Sequence, residues 1–137
     1  MDSLVEQLKR HEGFRSKPYI DSVGKATIGY GRNLDDVGLS RKEAVDLLYN
    51  DISLARNAVL TNISVARRLN SARLDALTNM AFNLGITRLL KFRKFLAALD
   101  LGDFVEAEVQ MLDSLWAKQV GSRAIELGRQ MRTGYYT

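Results

Sequence analysis

The apolar positions change period along the chain, and each change marks an element. Leu4, Val5 and Leu8 share one helical face, and Gly13 stands where a left-handed residue would close the helix. The pattern predicts a short first helix with Glu12 on its last turn. Residues 14 to 34 lose the helical period. Pro18, Gly24, Gly29 and Gly31 punctuate short runs such as Pro18-Tyr19-Ile20 and Ala26-Thr27-Ile28, which predicts a small β-hairpin turning through Asp21-Ser22-Val23-Gly24-Lys25.

Ser40 and Glu43 have capping-box spacing, and Val45, Leu47, Leu48, Ile52, Leu54 and Ala55 then follow a helical period. A long helix over about 41–60 is expected to join the hairpin region to the rest. A second helix should start after Asn70 or Ser71, run through Leu74, Leu77, Met80 and Ala81, and stop at Gly85. As the most apolar helix, it should form the centre of the core. Amphipathic stretches follow at roughly 88–100, 103–117 and 122–133, separated by Leu101-Gly102-Asp103 and Val120-Gly121-Ser122. The predicted class is α+β, mainly α, as one domain over residues 1–137. A small β-hairpin lobe at about 14–39 is joined by the long helix to a larger helical lobe, about 61–137 plus the N-terminal helix.

Composition narrows the function classes. At 137 residues, 46% apolar and 26% charged, the chain lies far from the disordered corner and is long enough to bury a core without staples. It has no cysteine and one histidine, His11, so disulfides, a thiolate nucleophile and a multi-histidine metal site are excluded. The opening MDSLVEQLKRHEG is charged throughout and lacks an apolar run long enough for a signal peptide or membrane span. A cytoplasmic origin is therefore expected, with any export supplied by another agent. The net charge of +4 is carried by the second part: residues 1–60 hold nine basic and nine acidic side chains, residues 61–137 eleven and seven. Such asymmetry suits a polyanionic partner, although a basic protein also gains solubility from it.

The candidate chemistry lies in residues 11–31, HEGFRSKPYIDSVGKATIGYG. Hydrolysis of a glycosidic bond commonly uses two carboxylates, one protonated to assist the leaving oxygen and one ionised to activate water or stabilise the oxocarbenium ion. Glu12 suits the first role if its helix end is partly desolvated, since desolvation raises a carboxyl pKa. Asp21, in a polar turn, suits the second, and the Thr27 hydroxyl is placed to hold water beside it. Singly, each has an ordinary reading: a solvated helix-end carboxylate, a turn-forming aspartate and a β-favoured threonine.

The segment Glu12-Gly13, Tyr19, Asp21, Gly24 and Thr27-Ile28-Gly29-Tyr30-Gly31, read as E-x8-D-x5-T-I-G-x-G, resembles the active-site segment of the T-even phage lysozyme family, the phage-type muramidases of glycoside hydrolase family 24. The resemblance continues through Asn79-Met80-Ala81-Phe82-Asn83-Leu84-Gly85, Trp116, Gln119, Ser122-Arg123-Ala124 and Arg132-Thr133-Gly134-Tyr135-Tyr136. It implies a lysozyme-like fold and a hydrolase of the β-1,4 bond between N-acetylmuramic acid and N-acetylglucosamine in peptidoglycan. Glu12 would be the proton donor, with Asp21 and Thr27 holding the water. Phe82, Gln119 and Arg123 would line the cleft, and Asn33 and Gln110 fall at sugar-contacting positions though their residue types differ from the T-even member. No cofactor or metal is implied. The resemblance also implies a monomer that acts on peptidoglycan and not on nucleic acid, and that depends on a membrane-permeabilising holin for release and host lysis. Two departures stand out: the segment Asn33 to Leu39 is short, and Arg32 replaces a histidine, which suggests an Arg32–Asp51 ion pair.

Two other readings compete. Arg88, Lys91, Arg93 and Lys94 beside Phe92 and Phe95 could mark a non-catalytic module that binds wall polymer or nucleic acid. At helical spacing they read better as one solvated and one buried face. Lytic transglycosylation of the same bond needs only one glutamate, and retention of Asp21 and Thr27 favours hydrolysis. Trp116 is read as a core aromatic.

Overall fold

The computed structural model describes residues 2–136 and divides into two compact units, Met1–Leu47 and Leu48–Thr137. The first unit opens with helix α1 (Asp2–Glu12), which Gly13 ends at φ +70° by donating its N–H to the Lys9 carbonyl at 2.9 Å. Left-handed backbone costs an L side chain steric energy that glycine avoids. Three antiparallel strands follow in the order β1 (Arg15–Ile20), β2 (Ala26–Gly29) and β3 (Arg32–Asn33). Tyr19 pairs with Thr27 and Ile20 with Ala26, whereas the register is irregular between Arg15 and Tyr19. Pro18 sits on β1, an edge strand, where its missing N–H is tolerated. β3 extends the expected hairpin into a three-stranded sheet. Only two residues long, it pairs Asn33 with Thr27 and Arg32 with Ile28.

Helix α2 (Arg41–Asn62) begins on the expected reciprocal cap. The Glu43 N–H donates to Ser40 Oγ at 3.1 Å, and the Ser40 N–H donates to Glu43 Oε1 at 2.9 Å. Its first turns, to Leu47, belong to the first unit and the remainder to the second.

The apolar core lies in the second unit. Helix α3 (Ser71–Leu84) supplies Ala76, Leu77, Met80, Ala81 and Leu84 to it, as its apolar pattern predicts. Asn70 caps this helix by accepting the Arg73 N–H at 3.0 Å. Two expected helices are each broken. Residues 88–100 contain the end of α4 (Ile86–Leu89) and all of α5 (Arg93–Asp100), because Lys91 and Phe92 turn in a tighter three-residue pattern that brings Leu89 and Phe95 into one core. Residues 103–117 contain α6 (Phe104–Leu112) and the start of α7 (Leu115–Val120), separated where Ser114 Oγ accepts the Ala117 N–H at 3.1 Å and begins a new helix. Helix α8 (Ser122–Thr133) lies as expected and buries Ala124, Leu127 and Met131.

Hydrogen bonds tie α3 and its cap to α8 and the residue that follows it. Arg73 donates from Nε to the Met131 carbonyl at 2.7 Å and from Nη2 to the Arg132 carbonyl at 2.9 Å. Its guanidinium also lies 3.6 Å from the centroid of Phe104. Gln130, buried, donates to the Ala72 carbonyl at 2.7 Å, and Asn70 Nδ2 donates to the Gly134 carbonyl at 3.0 Å. Among the described residues, no helix is long and apolar enough to cross a membrane, and no cluster of three or more His, Cys, Asp or Glu could hold a metal.

Candidate active site

In the first unit, Glu12 is the last residue of α1 and is exposed. Its side chain lies directly against Gly31, at the turn between β2 and β3. Asp21 opens the turn after β1, and its carboxylate Oδ1 accepts the N–H groups of Val23 at 3.0 Å and Lys25 at 2.8 Å. The turn is closed by the Asp21 N–H on the Lys25 carbonyl and the Gly24 N–H on the Asp21 carbonyl. Asp21 is thus a turn former in its geometry, held rigidly by its own carboxylate.

Thr27 is the one buried residue among the described residues of this unit, at 3% exposure. Its hydroxyl donates to the Lys25 carbonyl at 2.9 Å, which orients the oxygen lone pairs and ties the strand to the Asp21 turn. As register partners of Thr27, Tyr19 and Asn33 share its face of the sheet. The Asn33 side chain is engaged locally: its Nδ2 donates to Asp36 at 3.1 Å and its Oδ1 accepts the Asp36 N–H at 2.9 Å.

Arg32 does not pair with Asp51. Its guanidinium binds Glu43 through both nitrogens, with Nη1 at 2.8 Å from Oε1, and Nη1 also reaches the Gly38 carbonyl at 3.0 Å. A forked guanidinium matches a carboxylate in this way, and Glu43 is already fixed by Ser40. The Arg32 hydrogen bonds, followed by those of Ser40, hold the Glu43 carboxyl well below the usual range, at about 2. The reciprocal hydrogen bonding raises the Arg32 pKa.

In the second unit, Phe82 on α3 and Arg123 on α8 line one cavity of about 300 Å³ with Asn79, Thr78, Asp75, Arg56, Ile52 and Leu48. Arg123 is half-buried, and its Nε and Nη2 donate to Asn79 Oδ1 at 3.0 and 2.6 Å. Asp75 receives Arg56 at 3.4 Å and also the Tyr136 hydroxyl, whose pKa the carboxylate raises. Gln119, exposed on α7, is not among the residues lining this cavity. Gln110 lies elsewhere, on α6, where it donates to Glu106 at 2.8 Å and borders a second cavity with Lys91, Arg93, Lys94 and Asp113. The basic cluster reads as a solvated face: Arg88, Lys91, Arg93 and Lys94 are exposed while Phe95 is buried. Trp116 is buried as expected and donates its indole N–H to Asn83 at 2.8 Å.

Two residues stand out that were not singled out as site residues. Asn79 is the partner that orients Arg123, and Gly31 is the wall against which Glu12 rests. Both lie within the sequence segments that carry the family resemblance.

The chain belongs to the phage lysozyme family, which matches residues 9–132. It is 29% identical to the pre-baseplate central spike protein Gp5 of Enterobacteria phage T4 over 96% of this chain, and spans 28% of that protein's length. It is 28% identical to the probable T4-type lysozyme 2 of Dictyostelium discoideum, over 98% of this chain and 96% of that one. An endolysin of Acyrthosiphon pisum secondary endosymbiont phage 1 is 32% identical over 85% of this chain and 80% of its own.

Proposed function

We propose that the protein is a glycoside hydrolase that cleaves the β-1,4 bond between N-acetylmuramic acid and N-acetylglucosamine in bacterial peptidoglycan. The observation that supports this reading is the occurrence, in one small unit of a phage lysozyme family member, of an acid at a helix end and a rigid Asp21–Thr27 turn and strand. Glu12 donates a proton to the leaving oxygen, and Asp21 and Thr27 hold the attacking water. Bound glycan closes over the exposed helix end and excludes water from the reacting bond. Phe82, Gln119 and Arg123 contact the glycan, and Asn33 and Gln110 are assigned to it from their family positions.

Displacement by a held water inverts the anomeric centre, and inverting sites place their carboxyls about 6.5 to 9.5 Å apart to make room for it. The chain acts as a single domain, and the enzyme works as a monomer. It reaches the wall and lyses the host after a holin permeabilises the membrane.

The test is wall lysis by the wild type beside Glu12→Gln. The amide keeps the shape without the proton, and loss of general acid catalysis should lower the rate by about 10² to 10⁴. A wild-type rate would refute the assignment. Reducing ends in the product indicate hydrolysis, whereas anhydro ends would indicate a transglycosylase. The anomer first released, followed by NMR before mutarotation, tests inversion.

A further inference from the structure

We infer that Gly31 is a positioning residue for the general acid, its missing side chain forming the seat that holds the Glu12 carboxyl in place. This rests on the proposed role of Glu12. A methyl group at residue 31 would stand 2.7 Å from Glu12 Oε2, 2.9 Å from Cδ and 3.1 Å from Cγ. The first two are closer than a methyl carbon tolerates without movement, and the third is tight. Turning the carboxyl group alone cannot relieve the overlap, because Cδ and Cγ are crowded as well as the oxygen. The side chain has to leave by rotation nearer the backbone, which carries the acid away from its seat.

The structural and catalytic consequences separate. Glu12 is exposed, so its side chain can swing into solvent without disturbing a packed core. Catalysis tolerates no such swing, since a misplacement of about 1 Å costs on the order of 10² in rate. Gly31 also has positive φ, +77°, which strains any L side chain whatever it meets. Gly29 separates the two effects. Its φ is +69°, and a methyl group there meets nothing within 4 Å. Gly29→Ala therefore carries similar backbone strain without touching Glu12.

The experiment compares Gly31→Ala with Gly29→Ala in the intact protein, by thermal midpoint and by kcat and KM on peptidoglycan, alone and in a Glu12→Gln background. Expected are midpoints within a few degrees of each other and a kcat at least tenfold lower in Gly31→Ala than in Gly29→Ala. KM should be nearly unchanged in both. In a Glu12→Gln background, Gly31→Ala should cost no more residual rate than Gly29→Ala. Gly31→Asn against Gly29→Asn repeats the comparison with a residue that tolerates positive φ, should alanine prevent folding. Equal losses at the two glycines, or a Gly31 loss that persists in Glu12→Gln, would overturn the inference. A fully active Glu12→Gln would instead overturn the function on which it rests.

Discussion

Asn79→Ala tests whether the second unit prepares Arg123 for glycan. In the native arrangement both Nε and Nη2 of Arg123 converge on Asn79 Oδ1, at 3.0 and 2.6 Å, so one side-chain oxygen fixes the plane of the guanidinium. A hydrogen bond to a charged group is worth about 1.5 to 3 kcal/mol net. Arg123 is only half-buried, which points to the lower end of that range. If this ordering is recovered when glycan binds, losing about 1.5 kcal/mol weakens binding about tenfold. The assay is the affinity for soluble peptidoglycan fragments, measured in a Glu12→Gln background so that no turnover intervenes. Asn79→Asp keeps the acceptor and adds a charge, so it should hold Arg123 at least as firmly. The decisive measurement is the cycle with Arg123→Ala. Once the arginine is gone, Asn79→Ala should cost little more, because its effect runs through that side chain. Additive losses, each variant weakening binding equally in either background, would show that Asn79 does not act through Arg123.

Asp21→Asn should leave the turn intact, because the amide oxygen still accepts the Val23 and Lys25 N–H groups, and should still slow hydrolysis by removing the charge. Combined with Thr27→Ala, the rate loss should fall short of the product of the single losses if both serve one water; full additivity would place them in separate steps. Glu43 titrates at about 2 when folded against an ordinary 4.5. A depressed folded pKa stabilises the native state above the ordinary value, and this contribution is lost as pH falls from about 4.5 through about 2. Thermal midpoints across that window should therefore fall more steeply for the wild type than for Glu43→Gln, and parallel curves would refute the coupling.

Local signals were legible in the sequence. The Ser40/Glu43 spacing, Asn70 before α3, and glycine at 13 and 85 report short-range hydrogen bonding and backbone conformation, and the helices begin or end there. What was not legible depends on contacts across sequence distance or on weak punctuation. The α4–α5 break contains neither glycine nor proline, and both short helices bury residues at spacings that a single helix would also show. β3 is too short for alternation to register. Arg32 finds Glu43 because the Ser40 cap holds that carboxylate at the start of α2, eight residues before the expected Asp51. In the site, the motif glycines were visible as glycines, but only the folded chain puts Glu12 against Gly31, nineteen positions away. Gln110 reads as a plausible contact by position, yet lies in a cavity separate from that of Phe82 and Arg123.

The bonds from Asn70, Ala72 and Arg73 to residues 130–134 impose an order on biosynthesis. Contacts of the first unit can form once its 47 residues have emerged, whereas α3 waits for partners 58 residues or more downstream. At about 5 to 20 residues per second, that wait lasts about 3 to 12 s. Throughout it, the apolar positions that α8 later covers have no Ala124, Leu127 or Met131 to meet. A nascent chain arrested before α8 should therefore be a substrate for chaperones that hold exposed apolar surface, and completion of the last helix should release it.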